Sequence, residues 1–392
     1  MRFLKYCCLF GFVLLLQNSR GWCKPVKAGP EIDPSTWRGV NLPLQIRWAT
    51  RNSLSQADFD YAAAAGANVI RLSVHADPDG KNYTAFTDTN SKVLPGNNPG
   101  LADLELAVKM AQKAHLKVII DMHTVPGTKG AKIWQDAEYW DDLTQIWVLI
   151  TKKFKDNETV VAFDLMNEPN VIGYIRSQNF VQKASDEGKM LLGAWSPPQA
   201  WRNTPRDYNM QIAKMIGEIR DVDDDRYVIV EGFGLLGNPV NFTWMKPIEG
   251  FNKVIYSFHM YMPTDLTMLG TKGSIKKGNS DDVKPFNLQQ DEAVLDKAFA
   301  PVLAFQKKYH VPIFVGEFGI TTNAIFDNDA SGKPYNGACW LSAVIQKMDK
   351  YGWGWTYWDF WTKIRKPEST TDPRYIILSA AMQGKPVPDY CK

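Results

Sequence analysis

The chain has 392 residues, 45% hydrophobic and 22% charged, a globular balance that excludes a largely disordered or fibrous protein. Lys and Arg total 45 against 42 Asp and Glu, but Arg2, Lys5 and Arg20 fall within the first 21 residues, which hold no acid. The remainder is neutral overall, which excludes the basic field expected of a protein that grips nucleic acid or an anionic membrane.

The first segment reads as a secretory signal. Arg2 and Lys5 form a charged start, and residues 6–16 are an uninterrupted apolar run. Such a run is too short to cross a hydrocarbon core of roughly 30 Å. Ser19 and Gly21 supply the small residues wanted before a cut, so cleavage is expected after Gly21, with 22–392 left as one domain. A lipid anchor on Cys23 fits less well, because Arg20 and bulky Trp22 precede it. No second hydrophobic span follows, so the expectation is a secreted or periplasmic protein without a stable membrane anchor.

Export permits a disulfide among the cysteines that remain after cleavage, Cys23, Cys339 and Cys391. A Cys339–Cys391 bridge would tie down the C-terminal tail; the alternative is one buried thiol and one free one. Asn82, Asn157 and Asn241 fit the glycosylation sequon, which matters in a eukaryotic source.

From residue 37 onward, short apolar, β-branched runs alternate with helical patterns. Strands are predicted at 38–42, 68–74, 117–122, 160–166, 226–231, 253–259, 312–317 and 352–358. Helices are predicted at 55–66, 101–115, 138–154, 205–221, 292–309 and 338–351, with Ser53 or Ser55 capping the first and Asp291 the one at 292–309. The interval between strands five and six is short, and the last helix, at 374–382, is weak. Eight strands without a composition break favour one α/β fold, a closed (β/α)8 TIM barrel, over a two-domain doubly wound protein. Three long connections, 76–100, 169–204 and 262–290, each follow the C-terminal end of a strand. Loops on that face build the active site in barrel enzymes, so these should wall a cleft.

Polar residues at the strand ends carry the chemistry. Arg71 lies inside the second strand; Asp121 and His123 close the third, Asn167 and Glu168 the fourth. Glu231 ends the fifth, His259 and Tyr261 close the sixth, Glu317 the seventh and Trp358 the eighth. A charge placed in an apolar strand needs a partner or a task. Glu168 and Glu317 fall roughly across the barrel mouth from each other. Glycoside hydrolysis needs such a pair, one carboxylic acid to protonate the leaving oxygen and one carboxylate to attack carbon or activate water. The bland alternative is two unrelated salt-bridging acids. Glu231 and Asp121 read as supporting residues, His75 as a loop residue or a substrate contact, and His115 and His310 as structural.

The motifs Arg38-Gly-Val-Asn-Leu42, Asn68-Val-Ile-Arg71, Ile120-Asp-Met-His123, Asn167-Glu-Pro169, His259-Met-Tyr261, Gly316-Glu-Phe-Gly319 and Tyr357-Trp358 occur in this order over residues 37–361. The chain thereby resembles glycoside hydrolase family 5, the cellulases and related endo-glycanases. The resemblance implies a retaining mechanism with Glu168 as acid/base and Glu317 as nucleophile. It implies that Arg71 and Tyr261 hold Glu317 ionised, that Asn167 meets the sugar 2-hydroxyl, and that His123 and His259 line the site. Trp358 would floor it. A glutamate kept protonated needs partial desolvation and a nucleophile needs positive neighbours, so Arg71 favours Glu317 as the ionised partner.

The chain carries 14 Trp. Of those in loops or near strand ends (Trp48, Trp134, Trp140, Trp195, Trp201 and Trp361), Trp134 and Trp361 are the first choices as sugar platforms, because they follow catalytic strands. The first functional reading is a monomeric, secreted endo-β-1,4-glucanase that needs neither cofactor nor metal and takes a β-glucan or related glycan as its partner. Exo-β-glucosidase, β-mannanase and glycolipid hydrolase are alternatives within the family. A metal-dependent barrel hydrolase using His75, His123 and His259, and a carbohydrate-binding protein without catalysis, are alternatives of other classes.

Overall fold

In the computed structural model the described residues are 33–44, 53–78, 86–127, 132–170, 201–234, 237–270, 283–359 and 370–392. The signal segment, Cys23, Asn82, Trp48, Trp195 and Trp361 lie outside them, as does most of the 169–204 connection. Eight parallel strands run in sequence order around a closed barrel: β1 (Arg38–Pro43), β2 (Val69–His75), β3 (Lys117–Thr124), β4 (Val160–Asp164), β5 (Tyr227–Glu231), β6 (Val254–Met260), β7 (Ile313–Phe318) and β8 (Gly354–Tyr357). β8 pairs back onto β1 and closes the ring. This is the expected (β/α)8 barrel.

The coat comprises α1 (Gln56–Ala64), α2 (Pro99–Lys113), α3 (Glu138–Phe154), α4 (Tyr208–Arg220), α5 (Leu288–Tyr309), α6 (Gly337–Lys350) and α7 (Pro373–Met382). Between β5 and β6 the described residues hold a 3₁₀ turn, Pro239–Thr243. α5 begins before residue 292, because the Asn287 side chain accepts from the Gln289 amide and acts as the N-cap. Asp291, the expected cap, sits in the first turn and accepts from the Asn287 amide at 2.7 Å. His115 and His310 follow α2 and α5 in the left-handed region, at φ 58° and 54°, which accounts for their place at helix ends. None of the described helices is long and apolar enough to cross a membrane.

The strands obey a period of two, and that period builds the site. Ile70, Leu72 and Val74 of β2, Val118, Ile120 and Met122 of β3, and Val254, Tyr256 and Phe258 of β6 belong to the apolar cluster shared with the helices. The intervening residues face the barrel interior. Val69, Ile119, Ala162, Ile229, Ile255 and Phe314 form its apolar lower part, all with at most 0% of their surface exposed. Nearer the C-terminal ends the same rows become polar: Asn41, Arg71, Asp121, Asp164, Glu231, His259 and Glu317, all buried. Register shifts at Val74/His75, Phe258/His259 and Val315/Phe318 fall at that end. An irregularity of this kind re-aims the side chains beyond it.

Cys339, at the start of α6, is bonded to Cys391 near the C-terminus, so the tail is tied down. Asn241 is fully buried and its amide donates to the Gly232 carbonyl at 3.0 Å, a structural role in place of a glycan attachment.

Candidate active site

Arg71 is the hub of the barrel mouth. Its Nε donates to Asp164 Oδ2 at 2.9 Å, Nη1 to Asn41 Oδ1 at 3.1 Å and Glu317 Oε1 at 3.0 Å, and Nη2 to Asn167 Oδ1 at 2.9 Å and Glu231 Oε1 at 3.0 Å. Asp121 Oδ1 lies 2.9 Å from Nη2. Burial by itself would lower the guanidinium pKa. The carboxylates of Asp121, Asp164, Glu317 and Glu231 outweigh that and hold it well above its ordinary value. A lysine could not replace this planar fork, which reaches six side chains from one centre.

Glu317 closes β7 with 5% of its surface exposed. Arg71 holds one of its oxygens, and the Tyr261 hydroxyl donates to the other, Oε2, at 3.0 Å. Burial and the charges of Glu317 and Glu168 push the Tyr261 phenol well above its ordinary range, so it remains a donor. Glu168 lies just past β4, because the strand ends at Asp164 and the chain then turns into the mouth. Its backbone has φ 46°, a left-handed value rare outside glycine. Its Oε1 lies 2.8 Å from His259 Nδ1, and that nitrogen is 3.6 Å from Glu317 Oε2. One oxygen from each glutamate and one His259 nitrogen lie within 4.8 Å of one another.

At Glu168 desolvation is not the deciding influence. Burial does push its carboxyl up, but the hydrogen bond and charge of His259 more than offset it and bring it below the usual range. Burial pushes the His259 imidazole down, while Glu231, Glu317 and the bond to Glu168 raise it well above its ordinary value. Both shifts favour the charged pair, imidazolium beside carboxylate.

His123 and Trp358 are stacked, with ring centres 5.2 Å apart and planes within 4°. Asp121 Oδ2 holds His123 Nδ1 at 2.8 Å, so the supporting role read for Asp121 extends to both His123 and Arg71. Burial lowers the His123 pKa, but Asp121 reverses this and the net shift is upward. Gly319 explains how Trp358 approaches: a Cβ there would lie 1.9 Å from the Trp358 carbonyl oxygen. Asn167 receives Arg71 on its oxygen, which turns its amide NH2 away from the hub.

The expected sugar platform at Trp134 is corrected. Trp134 is fully buried, stacked on Trp201 at 5.7 Å and met edge-on by Phe233 at 5.1 Å and Trp140 at 5.4 Å. It packs a loop onto the barrel and offers no face to a sugar. In the histidine triad of the metal alternative, the His75 and His123 rings meet edge-on at 5.7 Å, but His75 Nδ1 meets Thr124, His123 Nδ1 meets Asp121, and both His259 nitrogens face glutamates. Among the described residues, cation-ligand spacing is found for Glu168, His259 and Glu317 alone, and there Nδ1 is already hydrogen-bonded to Glu168.

Sequence reasoning passed over Asp164 and Asn41 as site residues. Asp164 is fully buried on Arg71, and burial with the charges of Glu231 and Asp121 raises its carboxyl well above the usual range despite Arg71. The signal available for it was an acid ending an apolar strand, two residues after inward-facing Ala162.

The cellulase model of glycosyl hydrolase family 5 matches residues 27–364. An endoglucanase of Paenibacillus polymyxa is 22% identical over 390 aligned residues, covering 89% of this chain and 84% of that one. Endoglucanase C of Acetivibrio thermocellus is 20% identical over 336, covering 78% and 84%. Among solved structures, a hyperthermophilic endo-beta-1,4-glucanase in complex with substrate shares 21% identity and a TM-score of 0.63, over 90% of this chain and 97% of that one. Thermotoga maritima Cel5A, in complex with mannotriose, shares 20% and a TM-score of 0.60 over 84% and 93%. The structural likenesses are those of fold, whereas the family match runs through every strand that carries a site residue. The chain belongs to glycosyl hydrolase family 5 and is a glycoside hydrolase.

Proposed function

We propose that the protein is a retaining endo-β-1,4-glucanase in which Glu317 is the nucleophile and Glu168 the acid/base. The observation that carries this reading is the meeting of Glu168, His259 and Glu317 atoms within 4.8 Å. Carboxylate oxygens brought this near to each other support a retaining pair, whose carboxyl groups stand about 5–5.5 Å apart, over an inverting one, whose roughly 6.5–9.5 Å leaves room for water. The endoglucanase relatives support the choice of β-1,4-glucan, and the sugar complexes of the structural neighbours support a carbohydrate substrate.

In the first step a Glu317 oxygen attacks the anomeric carbon and forms an ester bond. The carbon–oxygen bond to the leaving sugar breaks as Glu168 gives that oxygen its proton, drawn from the His259 pair. In the second step Glu168 takes a proton from water, the water oxygen bonds to the anomeric carbon, and Glu317 departs as carboxylate. Arg71 and Tyr261 stabilise the departing charge. The Asn167 NH2 meets the 2-hydroxyl, and Trp358, backed by His123, stacks the sugar face. The Cys339–Cys391 bond supports an oxidising compartment and with it export.

Glu317→Ala and Glu168→Ala are each expected to abolish hydrolysis of β-1,4-glucan with the fold retained, judged by an unchanged circular dichroism spectrum. Product lengths from a panel of glucans, mannans and oligosaccharides test the substrate: mixed oligomers early in digestion of β-1,4-glucan are expected. Release of single glucose units, preference for mannan, or near-full activity in either variant would overturn the reading.

A further inference from the structure

We propose that Glu231 is a positioning residue for acid catalysis: it fixes the His259 tautomer and the Glu168 turn together, so that one proton is shared between His259 Nδ1 and Glu168 Oε1. The proposal rests on the assignment of Glu168 as the acid/base. Glu231 is fully buried at the end of β5 and its two oxygens face three donors. Oε1 receives Arg71 Nη2 at 3.0 Å and His259 Nε2 at 3.1 Å, and Oε2 receives the Glu168 amide at 2.8 Å.

An ionised carboxylate only accepts hydrogen bonds. The His259 nitrogen that faces it must therefore carry a hydrogen, which leaves Nδ1 as the nitrogen whose proton can come and go. Nδ1 faces Glu168 Oε1 at 2.8 Å. Moving one proton along that bond converts imidazolium and carboxylate into neutral imidazole and carboxylic acid, with no heavy atom displaced. The ring is clamped in this orientation: a Cβ at Gly237 would lie 2.7 Å from its Cγ, and one at Gly316 would lie 3.1 Å from Nε2.

The same carboxylate anchors the acid's backbone. Glu168 holds its left-handed φ of 46° between two bonds, its amide donating to Glu231 Oε2 and its carbonyl receiving Asn170 Nδ2 at 2.6 Å. The other titratable and charged groups around the pair are Arg71 on β2, Asp121 and His123 on β3, Asp164 on β4, Tyr261 just past β6 and Glu317 on β7. The Tyr208 hydroxyl of α4 donates to the Glu231 carbonyl at 2.9 Å and fixes the strand end.

Glu231→Gln tests this, because an amide offers one accepting oxygen and must turn its NH2 toward at least one of the three donors. The measurement is kcat/KM, which reports the glycosylation step, on two aryl β-cellobiosides: 2,4-dinitrophenyl, which leaves without a proton, and phenyl, which needs one. The expected loss is about 100-fold on the phenyl substrate, the lower end of what general acid catalysis supplies, and within about tenfold on the dinitrophenyl one. The alkaline limb of kcat/KM should also move to lower pH by about one unit, because one negative charge next to the shared proton is gone. Glu231→Asp keeps the charge on a shorter arm. It should show the same dependence on leaving group with the limb unmoved, and it serves if the amide variant does not fold. Equal losses on both substrates, as a merely structural role would give, would overturn the proposal. Glu168→Ala is the reference: if it shows the leaving-group dependence and the Glu231 variants do not, Glu231 alone is misassigned. If Glu168→Ala does not show it, the acid assignment fails and this proposal with it.

Discussion

The two glutamates at the barrel mouth are both flanked by buried, hydrogen-bonded neighbours, yet their surroundings differ in one respect. Glu317 rests on Arg71 and Tyr261, a cation and a donor that keep their protons across the working range. Glu168 rests on His259, whose proton can move. In the proposed assignment the proton affinity of the partner separates the roles: a nucleophile needs a partner that never takes its charge away, and an acid needs one that can refill it.

The largest expected effect breaks the Glu317 side. Arg71→Lys keeps one positive charge but loses the fork that serves Asn41, Asp121, Asp164, Asn167, Glu231 and Glu317. Removing a partner from a buried charge network costs about 3–5 kcal/mol. Urea unfolding should show a loss on that scale, with hydrolysis falling below detection. A variant that unfolds like the wild type and turns over β-glucan would show that charge alone suffices at this centre.

The next effect sharpens the Glu168 side through pH. The His259 pKa is raised in the folded state, so its contribution to stability is full below the unfolded value of about 6.5 and is lost as pH rises through the folded one. The Glu168 pKa is lowered, so its contribution is present above about 4.3 and is lost as pH falls through the folded value. Replacing His259 with Ala should flatten the alkaline decline in unfolding free energy, by up to about 1.4 kcal/mol per pH unit in the window above 6.5. The difference between wild type and variant, measured from pH 6 to pH 9, must shrink as pH rises; a constant difference would mean that His259 is not charged in the folded protein.

Much of this was legible in the sequence because barrel topology converts position along a strand into position in space. Glu168, Glu317, Arg71 and Tyr261 could be placed at one mouth from the ends of their strands. What stayed hidden depends on distances within that mouth. Glu231 reads as an acid at a strand end whichever of its neighbours it touches, and Asp164 differs from a surface acid only in the row on which it falls. The direction of the Glu168 shift was also out of reach, because it turns on whether a 2.8 Å bond to His259 outweighs burial. For Trp134, its place after a catalytic strand predicts a ring that faces the cleft. The loop instead folds that ring back among Trp140, Trp201 and Phe233.

Trp134 thus gives the smallest expected effect on catalysis and the cleanest contrast with Trp358. Trp134→Phe removes part of a fully buried ring, and a core substitution of that kind costs about 1–2 kcal/mol of stability. A buried ring has no face to lend to substrate, so KM on cello-oligosaccharides of increasing length should stay within about twofold of wild type. Trp358→Phe, next to the stacked His123, should instead raise KM or lower kcat at every length, since the proposed mechanism stacks the reacting sugar on that ring. If KM for the Trp134 variant grew with oligosaccharide length, the ring would have to leave its packed position when substrate binds, and the boundary between core and cleft drawn at this loop would have to move.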